Sequence, residues 1–262
     1  MSSMSKELFS TEKSYAGCVQ TDASAKSVLS VRDLRKQVEL GNHRELDILK
    51  GIDFEIKHGE SVAIVGRSGS GKTTLLGILA GLDTASSGSV SLMGQTLEAL
   101  DEDERAALRA RYVGFVFQSF HLLPSLTALE NVMMPLEMAQ HDEPMKHAAT
   151  LLSSLGLGDR LEHYPAQMSG GEQQRVALAR AFAADPEILF ADEPTGNLDR
   201  TTGEEIINAL FERNQLHQTT LVIVTHDQEL AKRCDRQLLI EDGLIVTTER
   251  LSSTQSQEEL AQ

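Results

Sequence analysis

The chain has 262 residues, 40% of them hydrophobic, and a formal net charge of −15. This fits one large α/β domain or a core with an inserted subdomain, and it excludes a disordered chain. The negative balance makes nucleic acid and anionic lipid poor bulk partners, so any phosphate must be held locally, by backbone donors and a few placed cations.

Residues 1–27 are rich in Ser, Lys and Thr without periodicity and are expected to form a mobile tail. Ser-Tyr-Ala-Gly-Cys18 has the outline of a lipid-attachment box, but no hydrophobic stretch precedes it, so no anchor is expected. No run of about eighteen uncharged apolar residues occurs, so no membrane-spanning helix is expected. Cys18 and Cys234 lie far apart without metal-ligand spacing and read as reduced thiols.

Apolar alternation starts at Val28. Ile48, Ile52, Phe54 and Ile56 fall on one face at even spacing, which reads as a strand broken near Gly51. His58-Gly59-Glu60 turns the chain into Val62-Ala63-Ile64-Val65, apolar on both faces, like a strand inside a helix-covered sheet. Thr73 to Ala80 reads as a helix ending at Gly81. Asp101 to Arg111 carries acids first and arginines last, which suits a helix and its dipole. Tyr112 to Phe117 is a strand. From Ser119 to about Phe182 strand signals vanish, and Pro124, Pro135, Pro144 and Pro165 are expected at boundaries between helices. Residues 119–182 thus read as an inserted helical subdomain. Ile188 to Ala191 and Leu221 to Val224 are two more buried strands, and Glu241-Asp242-Gly243-Leu244 is a hairpin turn. Residues 248–262 read as a polar tail.

Three motifs carry chemistry. Gly66-Arg67-Ser68-Gly69-Ser70-Gly71-Lys72-Thr73 has the P-loop spacing and lies between a strand and a helix, as that motif requires. Its glycines let successive N–H groups turn inward toward phosphate oxygens, and the helix terminus adds partial positive charge. Lys72 is expected on the β- and γ-phosphates, the Thr73 hydroxyl on Mg²⁺, and Thr74 completes the nucleotide-binding stretch. In the second motif, Ile188 to Ala191 runs into Asp192 and Glu193. An acid ending a buried strand beside a P-loop typically serves the Mg²⁺ shell, and Glu193 is placed to orient or deprotonate the attacking water. Alone, this pair reads equally well as two acids ending a strand. In the third, Ser169-Gly170-Gly171-Glu172 precedes a long helical pattern, which makes a helix start with bare backbone donors, either a second anion site or only a cap.

Together, in this order and spacing, the loop 66–73, Ser169-Gly170-Gly171, the strand 188–193 and His226 resemble the nucleotide-binding subunit of ABC transporters. The resemblance runs from about Val28 to Thr247. It implies an α/β fold: a P-loop NTPase (ABC ATPase) core over 28–247 with an antiparallel β region and the helical subdomain. It implies that Gln118 meets Mg²⁺ and the attacking water, that His226 contacts the γ-phosphate, and that Asp199, in Asn197-Leu198-Asp199, communicates across a dimer. The signature Ser169 to Glu172 of one subunit is implied to close over the ATP of another, giving an ATP-dependent homodimer.

The run Phe115 to Pro124, then Leu126 to Val132, and Ala191 to Asp199 is similar to a narrower group: the lipoprotein-releasing, macrolide-export and cell-division ATPases, and within it the YbbA-like proteins. That similarity implies an ATPase on the cytoplasmic face of the inner membrane, energising a separate permease with few membrane helices and a periplasmic domain. Its cell-division branch offers the alternative of an ATP-state regulator of a periplasmic activity. A soluble ABC ATPase acting on ribosomes or DNA fits less well, because the chain has neither a second cassette nor a coiled-coil insertion, and its charge is wrong. The start of the helical subdomain is the expected docking surface for the permease; Met133, Met134 and Met138 cluster there, although any one of them alone reads somewhat better as core filler. Three positions depart from the family pattern: Val38 replaces the aromatic residue that stacks on adenine, Met168 replaces the leucine before the signature serine, and Glu172 stands where glutamine is common. Val38 implies a weaker hold on the base.

Overall fold

The computed structural model describes residues 27–40 and 44–250. The expected tail before Ser27, with Cys18, and residues 251–262 lie outside them. The chain opens with β1 (Ser27–Leu40) and β2 (Arg44–Lys57), paired antiparallel. Gly51 does not break β2: Leu34 pairs with Ile52 and Arg35 with Lys50, so Gly51, at φ 103°, is a bulge. That bulge lets Leu49 join Ile52, Phe54 and Ile56 in the core.

Next come β3 (Ser61–Val65), α1 (Lys72–Leu79), β4 (Ser87–Leu92) and β5 (Gln95–Thr96). The first sheet is antiparallel, in the order β2-β1-β4-β5. After α2 (Glu102–Tyr112) and β6 (Val113–Phe117) the chain is helical: α3 (Ala128–Met138), α4 (Pro144–Ser154) and α5 (Gly170–Phe182), with short 3₁₀ turns and no strand before Ile188. It then alternates: β7 (Ile188–Asp192), α6 (Arg200–His217), β8 (Thr220–Val224), α7 (Gln228–Lys232), β9 (Arg236–Glu241) and β10 (Leu244–Arg250). The second sheet has the order β10-β9-β3-β8-β7-β6, parallel except for the β9–β10 hairpin. β10 carries this sheet to Arg250, past the expected boundary at Thr247.

The period of the parallel strands divides the core. Val62, Ile64, Phe190, Val222 and Val224 face α1 and the antiparallel sheet. Their neighbours Ala63, Leu189, Ala191, Leu221 and Ile223 face α5, α6 and α7. A third cluster joins α3, α4 and α5. α5 serves two clusters at once, with Leu178 and Phe182 toward the sheet and Val176 and Ala179 toward the other helices. This shared helix is what anchors the insertion to the core.

Pro144 starts α4 and Pro165 starts a 3₁₀ turn, as expected of boundary prolines. Pro135 instead lies inside α3. The helix ends one turn later, so the proline withdraws only the N–H that would have paired with the Asn131 carbonyl. The start of α3 is fixed by a capping box, in which Thr127 accepts from the Glu130 N–H and Glu130 accepts from the Thr127 N–H.

Asn131, fully buried, pins the loop before α3. Its Oδ1 accepts from Leu123 N–H at 2.8 Å, and its Nδ2 donates to the carbonyls of Leu123, Leu126 and Thr127 at 3.2, 3.1 and 2.9 Å. Asn131→Ala strands these groups and is expected to lower unfolding stability by about 1–3 kcal/mol. Denaturant titration reads this directly, and an unchanged midpoint would show that the staple carries no weight.

Candidate functional site

Strand register brings the singled-out residues to one edge. Phe117 pairs with Asp192, Asp192 with Val224, and Val224 with Ile64. Gln118, Glu193, Thr225-His226 and the 66–73 loop follow those strand ends, so all open where ligands of parallel sheets bind.

The 66–73 loop leaves β3 at Gly66, whose φ is 155° and whose α-carbon lies against the Ile240 carbonyl, with no room for a side chain. Arg67, Ser68 and Gly69 form its exposed crest, while Ser70 is buried, its hydroxyl without a partner among the described residues. α1 starts at Lys72 with no side-chain cap and no acid in its first turn. By contrast, α2, α3, α5, α6 and α7 are capped by Asp101, Thr127, Ser169, Asp199 and Asp227. The leading N–H groups of α1 are thus free for an anion. Lys72 Nζ donates to the carbonyls of Gly66 and Arg67, both at 2.9 Å, which places the ammonium inside the curl. Thr74 is half-buried behind it.

Burial pushes the Asp192 carboxyl above its usual range. A hydrogen bond from the Thr73 hydroxyl opposes that shift, neighbouring Glu193 adds to it, and Lys72 lowers it. A carboxylate so short of compensating charge favours a cation beside it. Among the described residues no group of three or more His, Cys, Asp or Glu could hold a metal ion. The ligands expected from the sequence, Thr73, Asp192 and Gln118, would offer oxygen only and are too few to cage an ion alone. This fits Mg²⁺, which keeps waters and takes further ligands from phosphate.

Glu193 stands at φ 47°, its N–H donating to the Val224 carbonyl at 2.9 Å. His226 Nδ1 lies 2.8 Å from one carboxylate oxygen, and the Thr225 hydroxyl donates weakly to the other at 3.5 Å. Gln118 is tied to the following loop: Asn197 Nδ2 donates to the Gln118 carbonyl at 2.9 Å, and Gln118 Nε2 donates to Asn197 Oδ1 at 3.4 Å. Asp199 caps α6, accepting from Thr202 N–H at 3.1 Å and Thr202 Oγ1 at 2.7 Å.

The Ser169 to Glu172 turn lies apart. No hydrogen bond or ion pair among the described residues joins it to residues 66–74. It packs against Phe120, the loop after Glu193 and the first turn of α6 instead: a Cβ on Gly170 would lie 3.8 Å from Phe120 Cζ and 4.0 Å from Leu198 Cδ2, and one on Gly171 only 2.5 Å from Thr202 Cγ2. Its donors are fewer than the sequence suggests. Ser169 Oγ accepts from Glu172 N–H at 3.3 Å, and Glu172 accepts from Ser169 N–H at 2.8 Å, a capping box that leaves Gly170 and Gly171 N–H as the bare donors. Several supporting residues had no sequence signal. Gln174, fully buried on α5, donates to the Pro194 carbonyl at 2.5 Å, and Arg180 donates to the carbonyls of His121 and Phe120 at 2.6 and 2.9 Å. Thr202, three residues after a cap at Asp199, was legible as an N3 position.

A family model described as ABC transporter matches residues 49–196. The ABC transporter ATP-binding protein YbbA of Escherichia coli (strain K12) is 58% identical over 221 residues, 84% of this chain and 96% of that protein. The lipoprotein-releasing system ATP-binding protein LolD of Pseudomonas fluorescens is 50% identical over 225 residues, 85% of this chain and 99% of that protein. Among solved structures, a dimeric post-hydrolysis state of the ATP-binding cassette MJ0796 with ADP and Pi matches at TM-score 0.80 and 40% identity, covering 85% of this chain and 98% of that one.

The contact between Gly171 and Thr202 is testable by size exchange. Gly171→Ala forces its methyl into Thr202 Cγ2 and is expected to destabilise the fold by about 1–3 kcal/mol. Thr202→Ser, which removes that methyl and keeps the hydroxyl on Asp199, should restore most of the loss in the double variant. Equal melting of Gly171→Ala and the parent would contradict the packing.

Proposed function

This chain belongs to the ABC transporter family, and from that premise we propose that it binds and hydrolyses ATP to energise a separate membrane permease. One observation supports this reading above the rest. Lys72, Thr73, Asp192, Glu193, His226 and Gln118 converge on one sheet edge, while the Ser169-Gly170-Gly171 turn stands away from it and keeps free donors.

The phosphates lie in the curl of residues 66–74, held by backbone N–H groups, the α1 terminus and Lys72. Mg²⁺, when bound by Thr73, Asp192 and Gln118, supplies charge neutralisation at the β- and γ-phosphates. Glu193 accepts a proton from the attacking water, whose oxygen bonds the γ-phosphorus as the bond to the β-phosphate oxygen breaks. Such a base contributes roughly 10²–10⁴ in rate. His226, within hydrogen-bond distance of Glu193, orients the carboxylate and faces the γ-phosphate. The P-loop holds that phosphate from one side only, and Ser169, Gly170 and Gly171 of a second copy close the other side. ATP is then the bridge of a homodimer with two composite sites, and Asp199, beside Thr202 and Gly171, lies where the copies meet. The grip falls on phosphate more than on base: Val38 and its cross-strand neighbour Leu46 are exposed aliphatics, with no ring to stack.

No helix among the described residues is long and apolar enough to cross a membrane. Docking of a membrane partner is supported by a cleft of about 270 Å³ between β6, α3 and α5, lined by Phe115, Phe117, Met134, Pro135, Met138 and Arg180 among others. Met138 is 69% exposed there. Met133 turns away and packs against the helical core, so the docking surface is narrower than the three-methionine cluster expected from the sequence. The similarity to LolD, the ATP-binding protein of a lipoprotein-releasing system, supports a role as the ATP-binding part of a larger system, which in this reading includes a permease and lies on the cytoplasmic face of the inner membrane.

Glu193→Gln should bind ATP, lose turnover by about 10²-fold or more, and persist as an ATP-bound dimer in gel filtration. Wild-type hydrolysis by this variant would remove Glu193 from the role of base. Met138→Glu combined with Met134→Lys should abolish co-purification with the permease while leaving ATP affinity unchanged. Retained co-purification would exclude this cleft as the dock.

A further inference from the structure

The signature turn contains a charge that its proposed role does not want. Glu172 lies in the first turn of α5, where an arriving γ-phosphate would need the free N–H groups of Gly170 and Gly171. Its Oε2 accepts from both Ser169 N–H, at 2.8 Å, and Ser169 Oγ, at 2.9 Å. The serine proton is thus directed at a carboxylate, and the two anions would face each other within a few ångströms. Like charges at such range repel strongly wherever water is squeezed out.

Arg160 answers this charge. It ends a 3₁₀ turn at Gly158–Arg160, outside α5, and its Nε donates to Glu172 Oε1 at 2.8 Å. The two ends of the carboxylate are therefore shared, one by Arg160 and one by Ser169. The guanidinium is the first cause that holds the Glu172 carboxyl down to about 2, followed by the Ser169 N–H and hydroxyl, so its charge is present at every physiological pH. The surrounding turn has supports besides the Arg160 side chain. Ala128 and Leu129 N–H donate to the carbonyls of His163 and Leu161, which brace this loop on α3.

We propose that Arg160 is a charge-compensating and positioning residue of the signature half-site, and that Glu172 is its brake. Pairing with Arg160 compensates the negative charge of the turn and lessens the pull of the carboxylate on the Ser169 hydroxyl, which Oε2 still holds, so that the γ-phosphate of a nucleotide held by a second copy can compete for it. This rests on the composite-site reading above. Arg160 reaches the reacting phosphate only through Glu172, so its effect must vanish when Glu172 is neutral.

The test uses the full chain carrying Glu193→Gln, with Mg²⁺ and ATP, and reads the monomer–dimer equilibrium by sedimentation together with ATP binding to the monomer. Arg160→Ala should weaken ATP-dependent dimerisation roughly three- to tenfold, an effect that shrinks at high salt because the pair is partly exposed. Arg160→Lys, which keeps the charge, should retain most of the affinity. Glu172→Gln should shift dimerisation the other way, and Glu172→Gln with Arg160→Ala should match Glu172→Gln alone. ATP affinity of the monomer should be the same throughout. An unchanged dimer constant in Arg160→Ala, or the same loss with Glu172→Gln present as without it, overturns the proposal while leaving composite sites standing. A parent that binds ATP but stays monomeric overturns both.

Discussion

A polyanion held by a chain of net charge −15 must be gripped at short range, and in the proposed reading the uncapped start of α1 does so. Most of its other helices spend their first N–H groups on their own side chains; α1 leaves them open and sets Lys72 beside them. A loop can curl around phosphate from below but cannot enclose it, since the approach of the nucleotide needs an open side. The geometry of everything else follows from that one-sided hold. Acids and amides gather around the loop on the strand ends, while the donors suited to the open side sit on a different element.

Those donors are not isolated from the edge. α5 carries the signature turn at its start, and Gln174, less than two turns on, donates to the carbonyl of Pro194, next to Glu193. Farther along, Arg180 holds the carbonyls of Phe120 and His121, just after Gln118, and lines the cleft beside Met138. Phe120 and His121 both have positive φ, so this loop depends on outside support. One helix thereby touches the proposed dock, the loop after Gln118, the loop after Glu193 and the signature turn. In this account it is the physical link between a membrane partner and the phosphate, and close packing on two faces makes it rigid enough to act as one.

Local pattern was readable and tertiary pairing was not. The strands at 62–65, 188–191 and 221–224 announced themselves by unbroken apolar runs, and the P-loop by its glycine spacing between a strand and a helix. Gly51 misled because a glycine that breaks a pattern and a glycine that bulges a strand look alike until the partner strand is known. Pro135 misled because one lost hydrogen bond near a helix end is affordable. At the site, Glu193 could be placed by the strand that ends before it, whereas Gln118 and His226 were singled out only by resemblance to the family. Arg160, Gln174 and Arg180 could not, since each acts across a gap in sequence and lies on no diagnostic spacing. Met133 illustrates the same limit: three methionines in one stretch share a composition signal, but the helix turns one of them inward.

The central claim is that each site draws on two copies of the chain. It is tested most directly by mixing two variants, each damaged in a different half: Lys72→Ala in the P-loop and Ser169→Arg in the signature. A heterodimer of the two keeps one site with both halves intact. The account predicts that each variant alone lacks ATPase activity and that the mixture regains a substantial fraction of it. Activity in Ser169→Arg alone, or none in the mixture, would contradict the account.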